Sequence, residues 1–116
     1  MPLIVQILVG LVALLHAGFL VLEMFLWDKP TGRRIFHLTP EVAAATKPLA
    51  ANQGLYNGFL SAGLVWSLVG GVGSTAVFFL ICVVVAGVFG AATVNPRIFV
   101  VQALPAILAL LALWFA

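Results

Sequence analysis

The sequence predicts an all-α fold, a four-helix transmembrane bundle, and three observations carry that reading. Of its 116 residues, 65% are hydrophobic and only 7% are charged, whereas a soluble domain carries about 25% charged residues to stay dissolved. The apolar residues gather into four segments, each long enough to cross about 30 Å of hydrocarbon as a helix. The strict alternation of a spanning barrel strand is absent. The expectation is one integral membrane domain over residues 1–116, multi-pass in the plasma (inner) membrane, with the lipid bilayer as its first partner.

The first segment, Leu3–Trp27, begins within the opening residues MPLIVQ. That start lacks the basic region of a cleaved leader, and the apolar run is too long for one, so a spanning helix is expected. The second segment runs from Leu49 to about Val69, the third from Ser74 to Thr93, and the fourth from Ile98 to Phe115. Between the first two lies a longer loop, Asp28–Pro48. Within it Thr39-Pro40-Glu41 reads as an N-cap, a proline at the first helical position and an acid in the first turn. EVAAATK then forms a short helix that Pro48 is expected to stop. Gly70–Gly73 is a glycine-rich turn, and Asn95-Pro96-Arg97 is another, since its proline cannot continue the preceding helix.

Charge orients the bundle. Lys29, Arg33, Arg34 and Lys47 fall in the first connector and Arg97 in the third; the middle connector and both ends carry no Lys or Arg. Four spans put connectors one and three on one side. By the positive-inside rule that side is cytoplasmic, and both termini are extracytoplasmic. Five scattered basic residues make no nucleic-acid surface, so no nucleic-acid partner is expected.

Polar residues inside the spans point to a site. His16 and Glu23 lie in the first segment, where an ionisable group costs roughly 2.5–3.5 kcal/mol on insertion scales. Seven residues is close to two turns, so both face one interior, about 10 Å apart along the axis. Gln53 and Asn57, four apart, share a face of the second helix. Gln102 sits little more than a turn into the fourth. With loops one and three cytoplasmic, Glu23, Gln53, Asn57 and Gln102 come to similar depth from three helices, with His16 deeper. Polar groups in lipid must be satisfied internally, so these five are expected to meet one another or a shared cavity. Trp27 and Tyr56 would wall such a pocket against a cationic group. The alternative is interhelical glue, supported by small-residue stripes at Gly54/Gly58/Ala62 and at Ala86, Gly87, Gly90 and Ala91.

Other residues carry less. Trp27, Trp66 and Trp114 lie near segment ends, as interfacial anchors do. Arg33, Arg34 and Lys47 read as topogenic loop charges close to headgroups. No second His, Cys or carboxylate stands at metal-ligand spacing to His16, so no metal or cofactor is expected. The lone cysteine, Cys82, is a small buried hydrophobe in an apolar run. Neither a nucleophile motif nor a nucleotide-binding fingerprint occurs, so catalytic residues cannot be assigned.

The strings EMFLW (Glu23–Trp27) and LAANQGLYNGFLSAGL (Leu49–Leu64) flank the basic loop, and Gln102-x-x-Pro105 follows late in the chain. Together they resemble a family of small four-span membrane proteins, domain-of-unknown-function family 1304. The resemblance covers nearly the whole chain. It implies four helices and a plasma-membrane location, and no activity. Small multidrug transporters are similar in length and also place a Glu in their first helix, but here Glu23 stands near the end of its segment and a long loop follows.

Three functions remain open. The first is binding or transport of a small polar or cationic solute, with Glu23 as counter-ion and proton acceptor and with Gln53, Asn57 and Gln102 orienting the ligand. The second is a membrane enzyme on a lipophilic substrate, with His16 and Glu23 as acid–base pair. The third is a non-catalytic accessory subunit. Each helix would keep much lipid-facing surface, which suits a homo-oligomer.

Overall fold

A computed structural model describes residues 1–116. The fold is all-α, without strands: α1 (Leu3–Met24), α2 (Pro30–Phe36), α3 (Pro40–Gly70), α4 (Gly73–Thr93), a π-helical turn (Phe99–Ala103) and α5 (Leu104–Phe115). Of these, α1 and α4 are long and apolar enough to cross a membrane.

The helix boundaries differ from expectation where the backbone finds other partners. The first apolar run does not stay helical to Trp27. The Phe25 N–H makes a last bond to the Val21 carbonyl, and a turn closed by Lys29 N–H on Leu26 O redirects the chain. Trp27 thus stands in the connector after α1. A short helix, α2, follows with Pro30 in its first turn. It ends at His37, whose φ of 54° puts it in the left-handed region while Leu38 N–H bonds Arg33 O at 2.9 Å. This 6→1 bond satisfies an orphaned carbonyl of the last turn. Gly32 in α2 is buried, and a Cβ there would collide with the Leu26 carbonyl, so glycine is required.

Thr39 caps α3 as its sequence implies: its Oγ1 accepts from Val42 N–H at 3.2 Å. Pro48, however, does not stop the helix. The short loop helix and the second apolar segment are one helix of 31 residues with Pro48 inside it. An interior proline costs about 3 kcal/mol or more because it lacks an N–H and crowds the carbonyl four residues back. Two contacts reach the turn just before it: Trp27 Nε1–H donates to Thr46 Oγ1 at 3.0 Å, and Lys47 Nζ pairs with Asp28 Oδ2 at 3.0 Å.

The Gly70–Gly73 turn forms as expected. Gly71 takes φ 65°, with Val72 N–H on Ser67 O and Gly71 N–H on Leu68 O, the paired bonds of a left-handed helix stop. After α4 the Asn95 side chain accepts from Arg97 N–H at 2.9 Å. The fourth segment is not one regular helix. Pro105 has no N–H for Val101 O, and the turn ahead of it widens so that Leu104 N–H returns to Phe99 O.

The chain forms two compact units, residues 1–15 with 60–116, and residues 16–59; α1 and α3 contribute to both. The core of the first unit draws Val5, Val9, Val12 and Ala13 from α1, Leu64 from α3, Ala76, Leu80 and Val83 from α4, and Ala106 and Ala109 from α5. Backbones also approach closely in this unit: a Cβ on Gly87 would lie 2.8 Å from Ala103 N. Ser61 Oγ–H also donates to Ala13 O at 2.8 Å. The second unit carries the candidate site.

Candidate functional site

Buried polar groups are few: His16, Glu23, Asn57 and Ser67. Ser67 Oγ–H bonds back to Leu64 O at 2.6 Å within its own helix, which satisfies it locally. The other three lie in the second unit.

Glu23 stands in the last turn of α1 and is 5% exposed. Asn57 Nδ2–H donates to Glu23 Oε1 at 2.5 Å. Glycine makes that bond reachable. Gly54, one turn before Asn57, faces α1 so closely that a Cβ would lie 2.7 Å from Met24 Cγ and 3.1 Å from Glu23 Cβ; at Gly58 it would lie 2.6 Å from Leu20 Cδ1. The Gly54/Gly58 pair therefore packs as the stripe predicted. Ala62 does not continue it. Ala62 is exposed, and Gly63 turns inward instead, its Cβ position filled by the Phe79 ring. On α4, Ala86 is likewise exposed while Gly87 is buried.

His16, two turns earlier on α1, is fully buried and meets Phe19 edge-on, ring centroids 5.1 Å apart. The seven-residue spacing thus brings both ionisable groups of α1 inside. The remaining predicted residues are distributed differently. Gln53 is exposed although it stands one turn from Asn57. Tyr56 is 57% exposed and packs on Phe59. Trp27 rests against Phe36 at 4.7 Å and donates to Thr46, which itself donates to Val42 O at 2.7 Å. Gln102 is half-buried in the π-helical turn of the other unit. So the structure joins Glu23 to Asn57 directly.

A polar staple near the site escaped the sequence reading. Trp27–Thr46 and Asp28–Lys47 are consecutive pairs with the same separation of 19 residues. Opposite charges at the two ends of the basic connector were the available signal. The Lys47 hydrogen bond holds the Asp28 carboxyl below its ordinary range, with the nearby Lys47 and Lys29 charges adding to the effect.

The electrostatics of Glu23 differ from those of Asp28. Lys47–Asp28 is the chain's sole ion pair, so Glu23 has an amide donor and no basic partner. Its place in the last turn also puts it beside the negative end of the α1 dipole. Such a carboxyl suits a cation or a proton. Elsewhere, a shallow apolar groove in the first unit is lined by Val77, Ile107, Leu110, Leu111, Leu113 and Trp114, and none of the candidate residues contributes to it.

A relative from Lactococcus lactis subsp. lactis (strain IL1403), named "Uncharacterized protein YpaA", is 30% identical over 119 residues, spanning 99% of this chain and 100% of the relative. No solved structure matches. The family described as "Protein of unknown function (DUF1304)" matches residues 10–114. With nearly its whole length matched, the chain belongs to the DUF1304 family.

Proposed function

We propose that the protein is a four-span plasma-membrane protein, both termini outside, which binds and transports a small polar or cationic solute at a cytoplasm-facing site on Glu23 and Asn57. The observation that carries the site is the buried Glu23 carboxyl with an amide donor and no basic partner. A charge so placed costs several kcal/mol unless something compensates it, and a purely structural role would be filled more cheaply by Gln.

Membrane residence is supported by surface chemistry. Only 28% of the apolar window of α1 and 22% of that of α4 are buried, whereas a core helix of a soluble protein hides most of its surface. Large side chains such as Leu3, Leu14, Phe78 and Phe89 are more than half exposed. Soluble monomers rarely leave such contiguous apolar area open to water. The second and fourth spans of the proposal correspond to the apolar part of α3 and to Phe99–Phe115. At about 1.5 Å per residue α3 measures about 46 Å, which leaves its Thr39-capped start beyond the hydrocarbon, at the headgroups.

A second reading, interhelical glue in an accessory subunit, is favoured by the close approach at Gly54. Glu23→Gln separates the two. It keeps the oxygen that accepts from Asn57 and deletes the charge. Melting temperature held or raised, together with loss of proton-coupled or cation uptake in proteoliposomes, supports the site. A destabilised Glu23→Gln protein with undiminished uptake would leave the accessory subunit.

A further inference from the structure

Only one of the two Glu23 oxygens is satisfied within the chain. Oε1 accepts from Asn57 Nδ2–H, and no donor meets Oε2. The one side-chain nitrogen or oxygen that is both shut off from solvent and unpartnered is Arg33 Nε. Oε2 therefore keeps some open surface, although Glu23 as a whole is only 5% exposed. A single carboxylate oxygen, reachable by something small, is left for a ligand.

Charge decides which ligand. The unit of residues 16–59 holds all three acids of the chain and four of its five Lys and Arg. Asp28 is neutralised by Lys47. Glu41 is exposed in the first turn of α3, about 24 Å of helix before Asn57. His16 can add only positive charge. No three His, Cys, Asp or Glu gather anywhere in the chain. One monovalent cation on Oε2 thus makes the site neutral. A divalent cation would leave a net positive charge inside the unit, and an uncompensated buried charge is heavily penalised. Calcium and magnesium also take about six or more oxygen ligands, whereas Asn57 occupies Oε1 and leaves Glu23 a monodentate ligand.

We infer that Glu23 binds one monovalent cation, an alkali ion or a protonated amine, and that Asn57 sets this valence by placing an amide where a second carboxylate would admit a divalent ion. The inference rests on the site reading proposed above and narrows its solute, since neutral polar molecules and divalent ions are excluded. The negative end of the α1 dipole favours either kind of cation, so the choice between them falls to the side chain at position 57.

The test uses the full chain in uncharged detergent and a hydrophobic carbodiimide, which converts a reachable carboxyl to a stable acylurea read by peptide mass. Glu23 is labelled in the parent and in Glu41→Gln. Sodium, potassium or methylammonium chloride slows that labelling; sodium and potassium acting alone mark an alkali-ion site, methylammonium alone an amine site, and each result supports the inference. At constant ionic strength, magnesium or calcium chloride gives the same protection only at a concentration about tenfold higher or more, because a charge is left uncompensated. Asn57→Asp reverses this order, with melting temperature showing that the variant folds; where it does not fold, the parent comparison alone decides. Parent protection by divalent ions at equal or lower concentration, or by neutral glycerol, overturns this inference and leaves a binding site in place. A folded Asn57→Asp that keeps the parent's order overturns the role of Asn57. Absence of labelling at Glu23, or labelling that no cation slows, ends the site reading and this inference with it.

Discussion

Asn57 and Glu23, 34 residues apart in the chain, are joined by a single hydrogen bond from the amide Nδ2–H to Oε1. Everything near it is arranged for close approach, with glycine at 54 and 58 on the Asn57 helix. Asn57→Leu keeps the branching at Cγ and removes the donor, leaving a buried carboxyl oxygen unmatched. It should cost about 1–3 kcal/mol in the parent. In a Glu23→Gln background the cost should fall, and a thermal double-mutant cycle reads the difference. Identical costs in both backgrounds would mean that the bond contributes nothing specific to Glu23.

Two glycines on different helices should respond oppositely to alanine. A Cβ at Gly87 meets both backbone and side chain of Ala103 at 2.8 Å, which no rotamer change relieves, while a Cβ at Gly18 meets nothing within 4 Å. Gly87→Ala should lose about 1–3 kcal/mol by overpacking, and Gly18→Ala should hold or gain up to about 1 kcal/mol from helix propensity. Melting of the two variants side by side checks this. At Gly58 the nearest atom is the flexible end of Leu20, so Gly58→Ala should be mild and Gly58→Leu damaging.

The Asp28–Lys47 pair predicts a pH dependence. Asp28 titrates below its ordinary value of 3.8, chiefly through its hydrogen bond from Lys47. A carboxyl whose folded value is depressed contributes stability that is fully present above the unfolded value and disappears as pH falls through the folded one. Parent protein should therefore exceed Asp28→Asn in stability at pH 7, by the small amount usual for an exposed pair. The gap should close below pH 3.8. A gap that persists unchanged in acid would assign the difference to packing rather than charge.

Topology has its own check. With all five Lys and Arg in connectors one and three, a cysteine-reactive or epitope probe added after Ala116 should be accessible on intact cells. Labelling only after permeabilisation would reverse the orientation and put Glu23 at the opposite surface.

The sequence by itself determined what depends on local spacing and composition. The seven-residue interval that puts His16 and Glu23 on one face, the Thr39 cap, the left-handed stop at Gly71 and the Asn95 turn all follow from backbone geometry within one or two turns. Tertiary structure decided the features that depend on distant partners. Pro48 lies inside α3, and the residues just before it, Thr46 and Lys47, meet Trp27 and Asp28 from another part of the chain. α2 is too short to have much stability alone, and it lies so close to the Leu26 carbonyl that only glycine fits at position 32. Gln53 and Asn57 are alike in chemistry and one turn apart, yet only Asn57 is buried, since its residue faces Glu23 across the Gly54 contact. Gly63 replaces Ala62 in the packing because the Phe79 ring fills the space where its side chain would stand. Each of these features involves a neighbour that the local sequence does not contain.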